Sequence, residues 1–202
     1  MLKKLSIAAA GSAIATLTAV SGANAVSFTG TGDGLVELSF DSSSIVVTDD
    51  ILIEDISIDL NGMDFTWIGE LDVDLVFDDG AGNIISVDVL NNGNAGGVLD
   101  LDDVAFGDYT FVDGAPPVVN TGDFLPTGSY APTESFLDAF GGLNAKGTWT
   151  LEFRDSFAID GGTMDSWDIN IVSTPEPASL LALFGIGVLG ATSLKRKQKE
   201  KV

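Results

Sequence analysis

The sequence predicts an all-β domain, an antiparallel β-sandwich of the jelly-roll type, with a hydrophobic segment at each end of the chain. Three observations lead to this fold class. Several short runs alternate apolar and polar residues, turns rich in Gly, Asn and Asp separate the runs, and no long amphipathic helical pattern lies between them. The chain has 202 residues, enough for one such domain of roughly 150 residues and two terminal segments.

The first 25 residues have the pattern of a secretory signal peptide. Two lysines precede an uncharged, apolar run of small residues, and Ala23 and Ala25 then form an A-x-A site that a signal peptidase accepts. We therefore predict that residues 1–25 are removed during export and that the mature chain begins at Val26.

Five runs in the middle of the chain have apolar side chains at every second position. These positions are Ile56, Ile58 and Leu60; Leu71, Val73, Leu75 and Phe77; Ile85, Val87 and Val89; Trp149, Leu151 and Phe153; and Trp167, Ile169 and Ile171. Because successive side chains of a strand point to opposite faces, each run predicts one buried face and one polar face. Residues 78–83 predict a hairpin loop between two strands, and residues 91–97 predict a second break. The domain is expected to span residues 26–173.

The last 29 residues combine a Pro-Glu-Pro motif, an uncharged apolar run and a basic tail. Pro175, Glu176 and Pro177 precede residues 178–194, which carry no charge, and Lys and Arg dominate residues 195–201. Seventeen residues in a helix rise about 26 Å, which is at the lower limit for crossing a bilayer core. We predict a single membrane-spanning helix whose basic tail stays in the cytoplasm, so that the domain faces outward.

This C-terminal segment, residues 174–202, resembles the PEP-CTERM sorting signal of exported proteins in Gram-negative bacteria. The resemblance implies that an exosortase recognises the Pro-Glu-Pro motif, cuts nearby, and passes the protein to the cell surface or to the extracellular polysaccharide matrix. The alternative is an ordinary anchor that stays in the membrane, because the hydrophobic pattern alone does not distinguish a cut span from an uncut one.

The composition excludes most catalytic chemistries. The chain has no Cys and no His, so disulfides, thiolate zinc sites and Ser-His-Asp triads are absent. Residues 26–177 carry 29 acidic residues against only Lys146 and Arg154, a balance that repels nucleic acids. We therefore predict a protein that is not an enzyme. The one remaining enzyme hypothesis is a glycosidase-like carboxylate pair, which so many acidic residues leave unranked.

A series of motifs between residues 56 and 172 resembles the P domain (Homo B) that follows the catalytic domain of proprotein convertases and bacterial subtilisin-like proteases. The motifs are Gly69-Glu70-Leu71, Leu101-Asp102-Asp103-Val104-Ala105, Gly147-Thr148-Trp149-Thr150-Leu151, Arg154-Asp155, Asp160-Gly161-Gly162 and Trp167. The resemblance implies a jelly-roll fold and an accessory role. Trp67 stands where the family has His, Glu70 stands where it has Asp, and the protease domain is missing, so the resemblance implies no peptidase activity.

A calcium site is predicted where three acidic residues surround a tight Gly161-Gly162 loop. Asp155, Asp160 and Asp165 offer carboxylates there, and loop carbonyls add oxygens, the ligands that calcium requires. The alternative is that the loop uses Asp and Gly for turn geometry alone. Second-tier candidates, for which solvation is the competing explanation, are Asp102 and Asp103, and Asp78 and Asp79.

Single residues outside the loop add further predictions. Trp149 and Trp167 lie in phase with core-facing positions and are predicted to be buried, whereas Trp67 is a candidate ligand contact. Arg154 is expected to pair with Asp155 or Asp165.

The function predicted from the sequence is that of a non-catalytic exported module for binding or scaffolding at the surface or in the matrix, assisted by calcium. Signal peptidase and exosortase are its expected partners during export, and the C-terminal helix its contact with the membrane. Extracellular polysaccharide or a partner protein would be its ligand. One alternative is an accessory module that docks and stabilises a separate subtilisin-like protease, and another is a carbohydrate-binding or carbohydrate-hydrolysing sandwich.

Overall fold

The computed structural model describes residues 24–32, 34–35, 40–91, 104–119, 124–155 and 161–173. In this part of the chain, two β-sheets form a sandwich-like arrangement, which confirms the predicted all-β class. The predicted C-terminal segment, residues 174–202, lies outside the described residues, as does most of the predicted signal peptide.

Twelve strands and two short helical turns make up the described part of the chain. The strands are β1 (Asn24–Thr31), β2 (Gly34–Leu35), β3 (Phe40–Val47), β4 (Asp55–Phe65), β5 (Leu71–Asp78), β6 (Ile84–Leu90), β7 (Val104–Val112), β8 (Phe124–Leu125), β9 (Gly128–Tyr130), β10 (Gly147–Asp155), β11 (Gly162–Thr163) and β12 (Ser166–Ser173). A 3₁₀ turn covers Ile68–Glu70, and α1 covers Phe136–Phe140.

The larger sheet has the order β1-β12-β4-β11-β2, and β7 also pairs with β4. The smaller sheet has the order β3-β10-β5-β6. Their ladders are antiparallel, as predicted, except that β8 and β9 run parallel to β7. The β4–β7 pairing also shifts register between Leu60 and Met63.

The five runs with a period of two are all strands, namely β4, β5, β6, β10 and β12. Their predicted apolar positions face the core: on β4, for example, Ile56, Ile58 and Leu60 are each at most 1 % exposed. Ile85 is the exception, since it is half-buried near the start of β6. The predicted loop at 78–83 joins β5 to β6 and closes with a hydrogen bond from Asp79 N to Asn83 O of 3.2 Å.

Two tryptophans anchor the core, as predicted. Trp149 and Trp167 are fully buried. The indole N–H of Trp149 donates to Ala145 O over 2.8 Å. The indole N–H of Trp167 donates to Ser43 Oγ over 3.0 Å and so links β12 of one sheet to β3 of the other. Each ring therefore buries its apolar body while its one polar atom keeps a partner.

The strand pairing separates two ends of the sandwich. Asn24 at the start of β1 pairs with Ser173 at the end of β12, and Val172 pairs with Asp55 at the start of β4. We call this the terminal end. The opposite, distal end begins where β4 stops at Phe65, about 33 Å away for a strand of 11 residues.

Candidate binding surface at the distal end

Trp67 lies in the connection between the two sheets at the distal end. Its backbone is left-handed, with φ 71° and ψ 61°, and its side chain is 47 % exposed. The carbonyl of Trp67 accepts from Glu70 N at 2.9 Å, which forms the 3₁₀ turn. A bulky residue at positive φ is strained, and such strain is concentrated at functional sites. The sequence-predicted ligand contact is therefore an exposed aromatic ring on a strained support.

Two further aromatic rings are exposed on the outer face of the larger sheet at the same end. Phe106 pairs with Asp64 near the end of β4, and it is 44 % exposed. Its ring stacks on that of Phe124 with centroids 6.3 Å apart. We call Trp67, Phe106 and Phe124 the distal aromatic surface. Large exposed apolar side chains at one end of a domain make that end a candidate contact site.

Two buried carboxyl groups lie in the same end of the sandwich. Glu70 is 3 % exposed at the end of the 3₁₀ turn, and Asp155 is 5 % exposed at the end of β10. Asp155 of β10 pairs in register with Leu71, the first residue of β5, and Glu70 directly precedes Leu71. Burial of a carboxylate is costly unless charges or hydrogen bonds compensate it, so the fold has to provide such interactions for both groups.

The predicted calcium ligands are only partly covered by the described residues. Asp155 is buried, and Asp165 is exposed between β11 and β12, where its side chain lies over Gly62. Asp160, Asp102 and Asp103 lie outside the described residues. Within the described ranges, no group of three or more acidic side chains is arranged to hold a metal ion. The calcium site stays a prediction, because its third member falls in a gap.

The prediction that Arg154 pairs with Asp155 or Asp165 was wrong. Arg154 Nη1 lies 4.0 Å from Asp72 Oδ2, and its guanidinium lies 5.8 Å from the centroid of the Phe40 ring. The reason is strand alternation: Arg154 and Asp72 are opposite each other on the outer face of the smaller sheet, whereas Asp155 points inward.

Sequence reasoning missed a pair of acidic residues on the same outer face. Asp74 of β5 stands directly opposite Asp88 of β6, and their carboxyl groups share a hydrogen bond. Burial, the hydrogen bond and the charge of Asp88 raise the pKa of Asp74 to about 7, and Arg154 opposes this rise. Asp74 therefore keeps its proton up to near neutral pH. The alternating acids of β5 were visible in the sequence, but their partner depends on the strand register.

A protein-family comparison matches residues 173–197 to the PEP-CTERM protein-sorting motif. The motif indicates export, C-terminal processing and association with a membrane in a Gram-negative bacterium. Within the described residues, no helix combines the length and apolar character needed to cross a bilayer, and the predicted span at 178–194 lies outside them.

A comparison with curated protein sequences finds no match. Among solved structures, the chain is similar to the serine protease of Aeromonas sobria in complex with a chaperone, with 13 % identity, a TM-score of 0.43 and 76 % of this chain covered. The structure of the Aeromonas sobria serine protease itself gives 14 % identity, a TM-score of 0.41 and 74 % coverage. The chain spans 28 % and 27 % of the length of those two chains.

Proposed function

We propose that the chain is an exported, non-catalytic binding module that presents the distal aromatic surface to an extracellular ligand. The observation that carries this proposal is Trp67, which is half-exposed in a left-handed conformation that a bulky residue does not adopt without support. The position of Trp67 also supports the proposal. Trp67 follows the far end of β4, a strand about 33 Å long whose other end lies at the terminal end, where the sorting motif begins.

The ligand class proposed is a polymer of the extracellular matrix, in particular polysaccharide. Sugar rings stack on exposed aromatic faces, and three such rings lie at this end. The absence of His and Cys supports a role in binding rather than catalysis. We further propose that the sandwich has a jelly-roll connectivity related to the P domain. For sorting, we propose that residues 178–194 span the membrane transiently and that an exosortase cleaves the chain.

Tryptophan fluorescence provides a direct test. The chain has three tryptophans, and since Trp149 and Trp167 are fully buried, acrylamide will quench Trp67 selectively. Matrix polysaccharide extracted from the producing cells should protect Trp67 from acrylamide in the exported protein. Trp67→Asn should abolish binding without lowering the melting temperature, because Asn tolerates a left-handed backbone. Trp67→Phe keeps a ring and should retain part of the affinity.

Two outcomes would redirect the proposal. Undiminished polysaccharide binding by Trp67→Asn would mean that the distal surface is not the site. Co-purification of the exported protein with a subtilisin-like protease, lost in Trp67→Asn, would instead favour the accessory role implied by the P-domain resemblance. Turnover of the polysaccharide would favour the hydrolase alternative.

We propose in addition that calcium binds beside this surface, at Asp155, Asp160 and Asp165. The burial of Asp155, and of Glu70 at the end of the 3₁₀ turn, supports this proposal, because a cation is one of the partners that stabilise a buried carboxylate.

A further inference from the structure

The smaller sheet has an open strand edge at the terminal end. Within the described residues, β6 pairs only with β5. The second half of its outer edge is covered, because Thr133 N donates to Val89 O over 3.0 Å and Glu134 N donates to Asp88 O over 2.9 Å. Helix α1 then begins at Phe136, and the chain leaves the edge.

The uncovered half of this edge presents backbone groups to solvent. Asp88 N donates to Glu134 Oε2 over 3.2 Å, so both backbone polar groups of Asp88 face the outer edge. Alternate residues of an antiparallel strand direct these groups to the same side, which places those of Ser86 and Ile84 on that edge too. Both residues are exposed, and Ile84 is 67 % exposed. Among the residues that the structure describes, nothing pairs with this stretch of about 10 Å of strand.

A cleft of about 690 Å³ lies at the start of β6, where Ile84 and Ile85 line it. Ile84 lies on one wall, and Leu143, Asn144 and Lys146 lie on the other. The polar groups of the second wall are already engaged, since Asn144 Nδ2 donates to Asp50 Oδ1 over 3.1 Å and Lys146 Nζ lies 3.5 Å from Asp50 Oδ2. What this region offers to a ligand is the apolar side chains of Ile84, Ile85 and Leu143 in the cleft and, at the edge of β6, backbone donors and acceptors that no described residue engages.

Native proteins protect strand edges with charged side chains, proline or a bulge. None of the three residues Ile84, Ile85 and Ser86 is charged or a proline, and their pairing with β5 is regular. We propose that this edge binds an extended, cation-bearing segment of a partner protein, which adds to the smaller sheet as a fifth strand next to β6. Backbone hydrogen bonds would hold such a segment, while its side chains enter the cleft.

Charge selects this occupant over a second copy of the chain. Residues 26–177 carry 29 acidic residues against two basic ones, so two copies repel each other. Lys146, one of those two bases, is paired with Asp50. Asp79 lines the cleft, and hydrogen bonds, chiefly from the Asn83 side chain, lower its pKa, so it stays ionised. A segment with lysine or arginine is attracted to this end of the molecule.

Hydrogen exchange on the exported protein tests the site. The probe is the synthetic peptide acetyl-Lys-Val-Thr-Val-Lys-amide, and the control peptides replace its lysines by glutamates or N-methylate alternate amides. In the free protein, we expect fast exchange at Ile84 and Ser86, whose N–H groups face the outer edge, and slow exchange at Ile85 and Val87, whose N–H groups face β5. The lysine peptide should slow exchange at Ile84 and Ser86 at least tenfold. Neither control peptide should slow exchange at these two residues.

Two variants of Ser86 complete the test. Ser86→Pro removes the outward N–H and blocks an added strand, and an edge strand tolerates proline at a solvent-facing N–H. Ser86→Ala changes only the side chain. We expect at least tenfold weaker peptide binding by Ser86→Pro and unchanged binding by Ser86→Ala, at matched melting temperatures. Equal protection by all three peptides, or equal binding by both variants, would overturn the proposal. So would dimerisation of the free protein that Ser86→Pro abolishes, because the edge would then serve a second copy.

Discussion

Replacing Asp74 by asparagine should stabilise the protein at alkaline pH and leave its stability at acidic pH nearly unchanged. Asp74 and Asp88 face each other across β5 and β6 and share a hydrogen bond. An Asn at position 74 can donate to the Asp88 carboxylate without carrying a charge of its own. The variant therefore keeps the hydrogen bond and removes the repulsion.

The direction in which stability changes with pH follows from the pKa of Asp74. Burial and Asp88 raise the pKa of Asp74 from 3.8 to about 7 in the folded protein. Between these two values the folded state holds more protons than the unfolded state, so stability falls as the pH rises through this window. The contribution of this group is fully present below about pH 4 and is lost above about pH 7. The asparagine variant does not experience this loss.

Solvent limits the size of the stabilisation expected for Asp74→Asn. A difference of about 3 between the two pKa values corresponds to an upper bound of about 4 kcal/mol. Asp74 is half-buried on the outer face, where water still reaches the carboxyl group and screens the repulsion, so we expect a stabilisation of about 1–2 kcal/mol at pH 8. For a domain of this size, that free energy corresponds to a rise in melting temperature of roughly 3–6 °C.

The assay compares thermal melts of the wild type, Asp74→Asn and Asp64→Asn between pH 4.5 and pH 8. Asp64 is exposed on the larger sheet, so its replacement removes one negative charge without touching the Asp74–Asp88 pair. The stabilisation by Asp74→Asn should grow with pH and exceed that of the control at pH 8. An advantage that is the same at every pH, or that Asp64→Asn reproduces, would refute the reasoning.

The remaining predictions concern the core and the predicted metal. Millimolar calcium should raise the melting temperature relative to chelator, and Asp155→Asn should remove most of this rise; a melt that calcium leaves unchanged would count against the site. Ser43→Ala should lower the free energy of unfolding by about 1 kcal/mol, because the Trp167 indole loses its acceptor in a part-buried setting. Ser42→Ala, one residue away on the exposed face of β3, is the matched control and should cost less.

The strands that could be predicted from sequence are those whose inner face is fully apolar. β4, β5, β6, β10 and β12 alternate clearly, and the structure places all five as strands. β3 was missed because its first half, with Asp41 and three serines, is polar on both faces. It is nonetheless a strand, since β10 pairs with it over eight residues and Ser43 accepts the Trp167 hydrogen bond. Tertiary pairing decided the structure of this segment, not its local pattern.

The candidate surfaces were less predictable for a related reason. Trp67 could be singled out as an aromatic residue between strands, but its left-handed backbone could not be inferred from its neighbours. The Asp74–Asp88 pair and the Arg154–Asp72 pair both depend on which residues stand opposite each other across a ladder. A shift of one residue would have paired different side chains on different faces, and the sequence alone does not fix that register.

The pairing of β1 with β12 places the start of the sorting motif at the terminal end of the sandwich. Because Ser173 ends β12 and the sorting motif begins at the same residue, the proposed membrane span at 178–194 would hold the terminal end towards the bilayer. The open β6 edge lies at that end, and the distal aromatic surface lies at the other. In that orientation a matrix ligand would reach Trp67 without approaching the membrane, whereas a partner at the β6 edge would have to approach close to it. The proposed sites therefore suit different partners: an extracellular polymer at the distal end, and a protein of the envelope at the terminal end.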